Sequence, residues 1–390
     1  MKSKQIDVVV KYFHPVAAGI ETNILNTYSV LAQMGWDVRI HTSTNTHTGK
    51  DILPKFEIIR GLKVYRYKHH WYGIQPNIDY TKTSLVCIHN FNIFPHIQIM
   101  TKAILGNLTK TKKYGLVLTP HGGYTPDWNV FGPISKQIKK IYHRTLGKIL
   151  INLSCDAIRA VSVWEKDQII SQGVNKDIIQ VITNGVENEA FVDLNKEASK
   201  QVKNLAHSLG DYIIQVGRIY PIKNYETTIR ALSLIPGNLK YAITGADSEK
   251  SGYFNSLKKL IKSLGLEERV VFTGVISGVD KFYLMNKAQM MVHMAHWESF
   301  CNVVHEGMSQ GLVCIVANNT ALPYLIKNNV NGYCVETFDY KSLASKIEYV
   351  IKNKNKKEII QIEKNNKNIG SQETWGAVAE KMNNLYLKLI

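Results

Sequence analysis

Gly217-Arg218-Ile219-Tyr220-Pro221-Ile222-Lys223-Asn224 stands between an apolar run, Tyr212–Val216, and a helical pattern, Tyr225–Ile235. A short apolar run closed by glycine reads as a buried strand, and the 3.6-residue spacing after it as a helix. Two cations therefore sit in a strand-to-helix turn. In an open parallel α/β sheet such turns lie at the carboxyl ends of the strands, where ligands bind. Arg218 offers a planar fork for phosphate oxygens and Lys223 a compact point charge. The helix that follows adds its first amides. The plainer reading is a pair of surface cations flanking an ordinary loop.

The same strand-turn-helix unit recurs downstream. Strand Leu239–Thr244, helix Phe254–Leu264, strand Val270–Thr273 and helix Val279–Asn286 lead to strand Met290–Met294, helix Val303–Gln310 and strand Val313–Val316. The turn after Met290–Met294 holds Trp297-Glu298-Ser299-Phe300-Cys301-Asn302-Val303-Val304-His305-Glu306-Gly307-Met308. Glu298 falls in that turn and Glu306 on the next helix. A carboxylate can accept two hydroxyl hydrogen bonds, and charged acceptors outdo neutral ones. Two glutamates on an exposed helix would mean nothing. The apolar residues around them, with Gly307 and Gly311, argue against exposure.

The N-terminal half alternates in the same way, the pattern of parallel β-α units. Ile6–Val10, Val38–His41, Leu85–Ile88, Leu116–Thr119, Ala157–Ala160 and Ile178–Ile182 read as strands. A helix from Ile20 stops at Gly35, a favourable cap. Phe56–Ile59 and Val64–Tyr67 suggest an inserted hairpin around Gly61. Pro133–Ile151 is a basic amphipathic helix whose apolar face is Ile134, Ile138, Ile141, Leu146 and Ile149. At Glu187–Gln201 the pattern breaks into polar sequence, the best place for a linker. Residues 1–190 and 200–372 then make two domains, the C-terminal helix 373–390 completing the first.

These runs, in this order, resemble the retaining glycosyltransferases of family four (glycosyl transferases group 1). The resemblance implies an α/β GT-B fold, two doubly wound Rossmann-like domains facing across a cleft. It assigns Arg218 and Lys223 to the donor diphosphate, Glu298 to hydroxyls of the donor sugar and Glu306 to the ribose. The amides of Phe300, Cys301, Asn302 and Val303 would face the diphosphate and sugar. Cations aimed at the leaving diphosphate stabilise the transition state more than the ground state. Gly19, in Ala17-Ala18-Gly19-Ile20-Glu21, would let the first turn approach a phosphate. His121, in Thr119-Pro120-His121-Gly122-Gly123-Tyr124, would lie beside the reacting sugar, in support of same-face attack rather than as a general base. Asn184-Gly185-Val186 would be a structural turn. Three departures stand out: Asn224, Cys301 and Ala18 each replace a glycine common in the family. Asn tolerates left-handed backbone, so the first is mild; the Cys301 side chain narrows the expected pocket.

Composition sets the remaining bounds. With 390 residues, two domains are the natural division. At 45% hydrophobic and 20% charged the chain reads as globular, with no run long enough to span a membrane and no signal-peptide layout. Five scattered cysteines fit a reducing cytoplasm. No metal is expected, since there is no Asp-x-Asp pair and no recognised histidine spacing. No cofactor is expected either, the nucleotide sugar being a substrate. The net charge of +17 includes a Lys/Asn run at 351–357 and a strip at 102–148, where Lys102, Lys110, Lys112, Lys113, Lys136, Lys139, Lys140, Arg144 and Lys148 face a single acid, Asp127. That strip is either a solvated face or a surface for anionic lipid or a charged acceptor.

The expected reaction moves a hexosyl unit from a nucleotide sugar, UDP before GDP, to a glycan or lipid-linked acceptor of surface polysaccharide or glycolipid. The expected place is the cytoplasm, with peripheral attachment to the inner face of the membrane as an extension. An epimerase or hydrolase on the same scaffold would need a further acid-base pair that the chain lacks. A nucleic-acid-binding protein would explain the charge but leave Glu298 and Glu306 without a role.

Overall fold

The computed structural model describes residues 4–16, 18–46, 53–247 and 252–390. It divides into two units, Met1–Gly185 with Trp375–Ile390, and Val186–Thr374. In the first, strands β1 (Gln5–Val9), β2 (Asp37–Ser43), β3 (Phe56–Ile59), β4 (Leu62–Tyr67), β5 (Leu85–His89), β6 (Gly115–Thr119), β7 (Ala157–Ala160) and β8 (Ile179–Val181) form one sheet. Its order is β3-β4-β2-β1-β5-β6-β7-β8. Every pairing is parallel except β3 with β4. The expected hairpin is therefore no insertion, because β4 continues the main sheet beside β2.

The second unit holds β9 (Tyr212–Val216), β10 (Lys240–Thr244), β11 (Val270–Gly274), β12 (Met290–His293), β13 (Cys314–Ala317) and β14 (Gly332–Val335). The order β11-β10-β9-β12-β13-β14 is wholly parallel, the doubly wound arrangement of a nucleotide-binding sheet. Strands β9, β12 and β13 are buried along their whole length, as a sheet covered on both faces requires.

Three expectations change. The polar stretch at Glu187–Gln201 is not a linker but the opening of the second unit, with a helical turn at Asn188–Phe191 and helices at Leu194–Glu197 and Lys200–Leu209. Its polarity belongs to caps: Asp193 accepts from the amides of Asn195 and Lys196, and Ser199 from Val202. The basic helix breaks into Pro133–Tyr142, a π-type turn at His143–Gly147, and Lys148–Ser154. Its apolar face points outward, with Ile134 76%, Ile138 56% and Ile141 63% exposed. Beyond Val316 the chain adds β14 and the helices Tyr340–Lys352 and Lys357–Gln372. The last of these buries only Ile359, Ile362, Asn366 and Gly370 along its length, too sparse a stripe to read from sequence. The C-terminal helix Trp375–Leu387 packs into the core of the first unit through Val378, Ala379, Met382 and Tyr386.

Candidate functional site

Topology places the two sequence motifs side by side. In the second sheet the strand order reverses between β9 and β12, which pair at Ile213–Met290 and Ile214–Met291. The turns leaving the two strands therefore open next to each other at the carboxyl edge. Across 75 residues of sequence, Lys223 Nζ comes within 2.5 Å of Glu298 Oε1. His293, the last residue of β12, adds its Nε2 at 3.0 Å from the same oxygen. Burial would raise the Glu298 pKa, but Lys223 and His293 hold the carboxyl down at about 2. Burial likewise disfavours charge on Lys223, and Glu298 outweighs it, so its pKa rises. Thr320 Oγ1 accepts the Glu298 amide at 3.0 Å, fixing the backbone beneath the carboxylate.

The Lys223 turn is held from several sides. Gln215 Nε2 donates to Lys223 O at 2.9 Å, and Tyr225 Oη donates to Gly217 O at 2.7 Å. Asn224 lies in the left-handed region at φ 49°, a conformation that favours glycine or asparagine. Its Nδ2 donates to Met294 O at 2.9 Å, tying the two turns together. Gly245, at the end of β10, has φ 155° and no room for a side chain, because a Cβ there would lie 2.0 Å from Gly217 O. Arg218 is exposed, and among the described residues no carboxylate pairs with it. It remains available to an anion.

Helix Asn302–Ser309 follows Glu298. Its cap, Cys301, is buried with φ 83° and offers no side-chain hydrogen bond to the first turn. The Cys301 thiol is buried beside the Glu298 carboxylate, and burial and Glu298 push its pKa up. Phe300 is buried edge-on to His305, with centroids 5.5 Å apart. Glu306 is buried one turn further on. Lys281 Nζ lies 2.8 Å from its Oε2 and 3.6 Å from Glu187 Oε2. Burial and Glu187 push the Glu306 pKa up against Lys281, to about 7.

In the first unit, Gly19 begins helix Gly19–Gln33 and is exposed, with open space where a Cβ would point. Ala18 provides no side-chain cap, and Ala17 lies outside the described residues. His121 stands in the turn after β6 with φ 51°, and its Nε2 meets His89 Nδ1 at 2.9 Å. Burial, with Arg159 nearby, depresses its pKa to about 3, so the ring is neutral. Asn184 is buried and structural, accepting from Asn23 Nδ2 at 2.6 Å and from Arg159 Nη2 at 3.2 Å.

Lys223, Glu298, Cys301 and Glu306 thus share one edge of the second sheet, while Gly19 and His121 belong to the first unit. Sequence reasoning missed His293, Lys281, Glu187, Thr320 and Gly245. A histidine closing a buried apolar strand was the available signal for His293; the others carried none. His293, Glu298 and Cys301 also bring three ligand-type atoms within 4.8 Å of one another. The Lys223 ammonium already rests on that carboxylate, and a metal ion would have to displace a fixed cation.

Comparison with known proteins bears on the family and the fold. Residues 196–368 match the family model "Glycosyl transferases group 1", and residues 17–190 match "Glycosyltransferase Family 4". The mannosylfructose-phosphate synthase of Agrobacterium fabrum is 24% identical over 205 residues, covering 50% of this chain and 45% of that protein. The chain thus spans less than half the length of that relative. The uncharacterized glycosyltransferase MJ1607 of Methanocaldococcus jannaschii is 26% identical over 349 residues, 86% of each chain. Among solved structures, Anabaena HepE in complex with UDP superposes with a TM-score of 0.75 at 19% identity over 100% of both chains. Sucrose-phosphate synthase from Thermosynechococcus elongatus gives 0.77 at 18% identity, over 99% of this chain and 98% of that one. At those identities the superpositions speak for the fold. Between them the two family models run through both parallel-sheet units, and the chain belongs to the group 1, family 4 glycosyltransferases with the GT-B fold.

Proposed function

We propose that the enzyme transfers a hexosyl unit, with retention at the anomeric carbon, from a nucleotide sugar to a glycan or lipid-linked acceptor of surface polysaccharide or glycolipid. The observation that carries this reading is the Lys223–Glu298–His293 cluster at the switch point of a doubly wound parallel sheet, beside the start of helix Asn302–Ser309. Arg218 and Lys223 take the diphosphate and stabilise the charge that grows on it as the glycosidic bond breaks. They stand where a divalent metal would otherwise be needed, which makes the reaction metal-independent. Glu298 turns to the sugar hydroxyls and Glu306 to the ribose. His121, neutral, hydrogen-bonds the reacting sugar, while the leaving phosphate oxygen takes the acceptor proton on the same face. UDP is the favoured nucleotide and GDP the next; a UDP complex of a similar fold supports that order.

The acceptor side draws on the basic strip. Ile134, Ile138 and Ile141 project outward beside Lys136, Lys139 and Lys140, an apolar row rimmed by cations. That combination suits the headgroup boundary of an anionic membrane. Among the described residues no helix is long and apolar enough to cross one. We place the enzyme in the cytoplasm, peripheral on the inner membrane face.

A thermal-shift panel of UDP, GDP, ADP and CMP, each with and without EDTA, tests the donor site. Ligand at about 100 times its Kd adds roughly 2.7 kcal/mol of stability. A UDP or GDP shift that survives EDTA is expected; silence toward every nucleotide from folded protein would overturn the reading.

A further inference from the structure

We propose that His89, Tyr28 and Tyr386 form a buried hydrogen-bonded chain that holds His121 in a single tautomer, with the proton on Nδ1. The inference rests on the reading above that puts His121 beside the reacting sugar, and it adds three positioning residues to that site.

The chain draws on three elements. Tyr386, from the C-terminal helix, lies 2.8 Å from Tyr28 Oη on helix Gly19–Gln33. Tyr28 Oη lies 3.0 Å from His89 Nε2 at the end of β5, and His89 Nδ1 lies 2.9 Å from His121 Nε2. Behind them the Cys87 thiol donates to Tyr386 Oη at 3.4 Å. Tyr28, His89 and Tyr386 are wholly buried, and Cys87 is 1% exposed. With bulk water excluded, each link must be made by the chain's own protons.

Each group has one proton to give. The Cys87 proton points to Tyr386, so the Tyr386 proton goes to Tyr28 and the Tyr28 proton to His89 Nε2. His89 then carries its own proton on Nδ1 and donates it to His121 Nε2. Nδ1 is left as the protonated nitrogen of His121, and it takes no partner among the described residues. Burial supports this count: it pushes the Cys87 pKa up to about 11 and the His89 pKa well down, so neither thiolate nor imidazolium enters the chain. The backbone under His121 is held as well. Gly122 N donates to Glu165 Oε1, and Glu165 Oε2 accepts from Val161 N at 2.7 Å. Ring position and proton position are therefore both set from within the first unit. A fixed N–H is a donor that needs no reorganisation when charge develops on the sugar.

The test is a long-range 1H–15N spectrum of the full-length enzyme carrying 15N-histidine, with His121 identified by its loss in His121→Ala. One neutral tautomer protonated at Nδ1 is expected. Tyr28→Phe removes the proton given to His89 Nε2 and should mix the His121 tautomers. Cys87→Ser keeps a donor at the head of the chain and should leave them unchanged. If Tyr28→Phe does not fold, His89→Phe asks the same question from the next link. Protonation at Nε2 in the wild type, or a His121 signal unmoved by both Tyr28→Phe and His89→Phe, would overturn the chain. Turnover of UDP-glucose should fall about tenfold in Tyr28→Phe with KM unchanged, the scale of one lost hydrogen bond. Mixed tautomers in Tyr28→Phe alongside full turnover in His121→Ala would refute the placement of His121 at the reacting centre and leave the chain standing.

Discussion

Replacing Glu298 by glutamine keeps the shape of the donor turn and removes its charge. The carboxylate is 13% exposed and its Lys223 partner 20%, so water screens the pair little. Its pKa lies near 2 instead of 4.5. At 1.36 kcal/mol per unit, that displacement corresponds to about 3 kcal/mol of preference for the ionised carboxylate in the folded protein. Burial works against ionisation, so Lys223 and His293 together supply more than the net figure. Glu298→Gln should therefore cost about 2–3 kcal/mol at pH 7, leaving Lys223 buried beside a neutral amide. Lys223→Met should cost a similar amount, and the double variant much less than the sum. The sign with pH follows from a depressed pKa: the stabilisation is full above pH 4.5 and is lost as pH falls toward 2. Urea midpoints of the four proteins at pH 7 and pH 3.5 measure it, with constant slopes as the control. The coupling should shrink by about 1 kcal/mol between the two pH values. Additive single variants at pH 7, or a coupling indifferent to pH, would mean that the ion pair does not hold this turn.

Four further outcomes follow from the same geometry. Glu306→Ala should abolish UDP binding in calorimetry, whereas Glu298→Ala should spare it and remove turnover; the reverse pattern would exchange their roles. On the proposed role, ribose binding in the wild type would need ionised Glu306, whose pKa is raised to about 7 by burial and Glu187 against Lys281. UDP affinity should thus fall about tenfold from pH 8 to pH 6, with no such fall in Glu306→Gln. Cys301→Gly should be more stable than Cys301→Ala by about 1 kcal/mol in thermal melts, because left-handed backbone penalises a Cβ; the usual Ala-over-Gly order would show that the positive φ is not maintained. Changing Lys136, Lys139 and Lys140 together to serine should weaken binding to phosphatidylserine vesicles by about 100-fold, at roughly 1 kcal/mol per lysine, and leave UDP affinity unchanged.

Both sheets were legible in the sequence because buried parallel strands announce themselves as apolar runs between helical periods. Strand order was not. Nothing in residues 212–224 or 290–308 states that β9 and β12 are neighbours, and the meeting of Lys223 with Glu298 depends on that neighbourhood. His293 was hidden by its setting, a polar residue inside an apolar run. Lys281 and Glu187 lie outside any motif and reach Glu306 only through folding. Periodicity located the apolar face of Pro133–Tyr142 but could not say which side was wet, since a membrane-facing stripe and a core-facing stripe have the same spacing. The polar opening of the second unit misled for a related reason: capping residues and linkers share a composition.

In this structure three of the groups assigned to the donor already hold ion-pair partners. Lys223 is held by Glu298, and Glu306 by Lys281. Each pairing keeps a largely buried charge from standing alone, which would be costly. It also sets terms for the ligand. A diphosphate that takes Lys223 leaves Glu298 short of a cation, and only a group that donates hydrogen bonds can satisfy that carboxylate in turn. Sugar hydroxyls do so, and a bare nucleoside diphosphate does not. On the roles proposed above, the arrangement therefore favours the intact donor over the product by the interactions Glu298 would make with the sugar. Once the sugar has left, the ammonium and the carboxylate are free to close on each other again, which works against retention of the diphosphate. On the proposed roles, the ion pair that stabilises the turn thus also promotes release of the product.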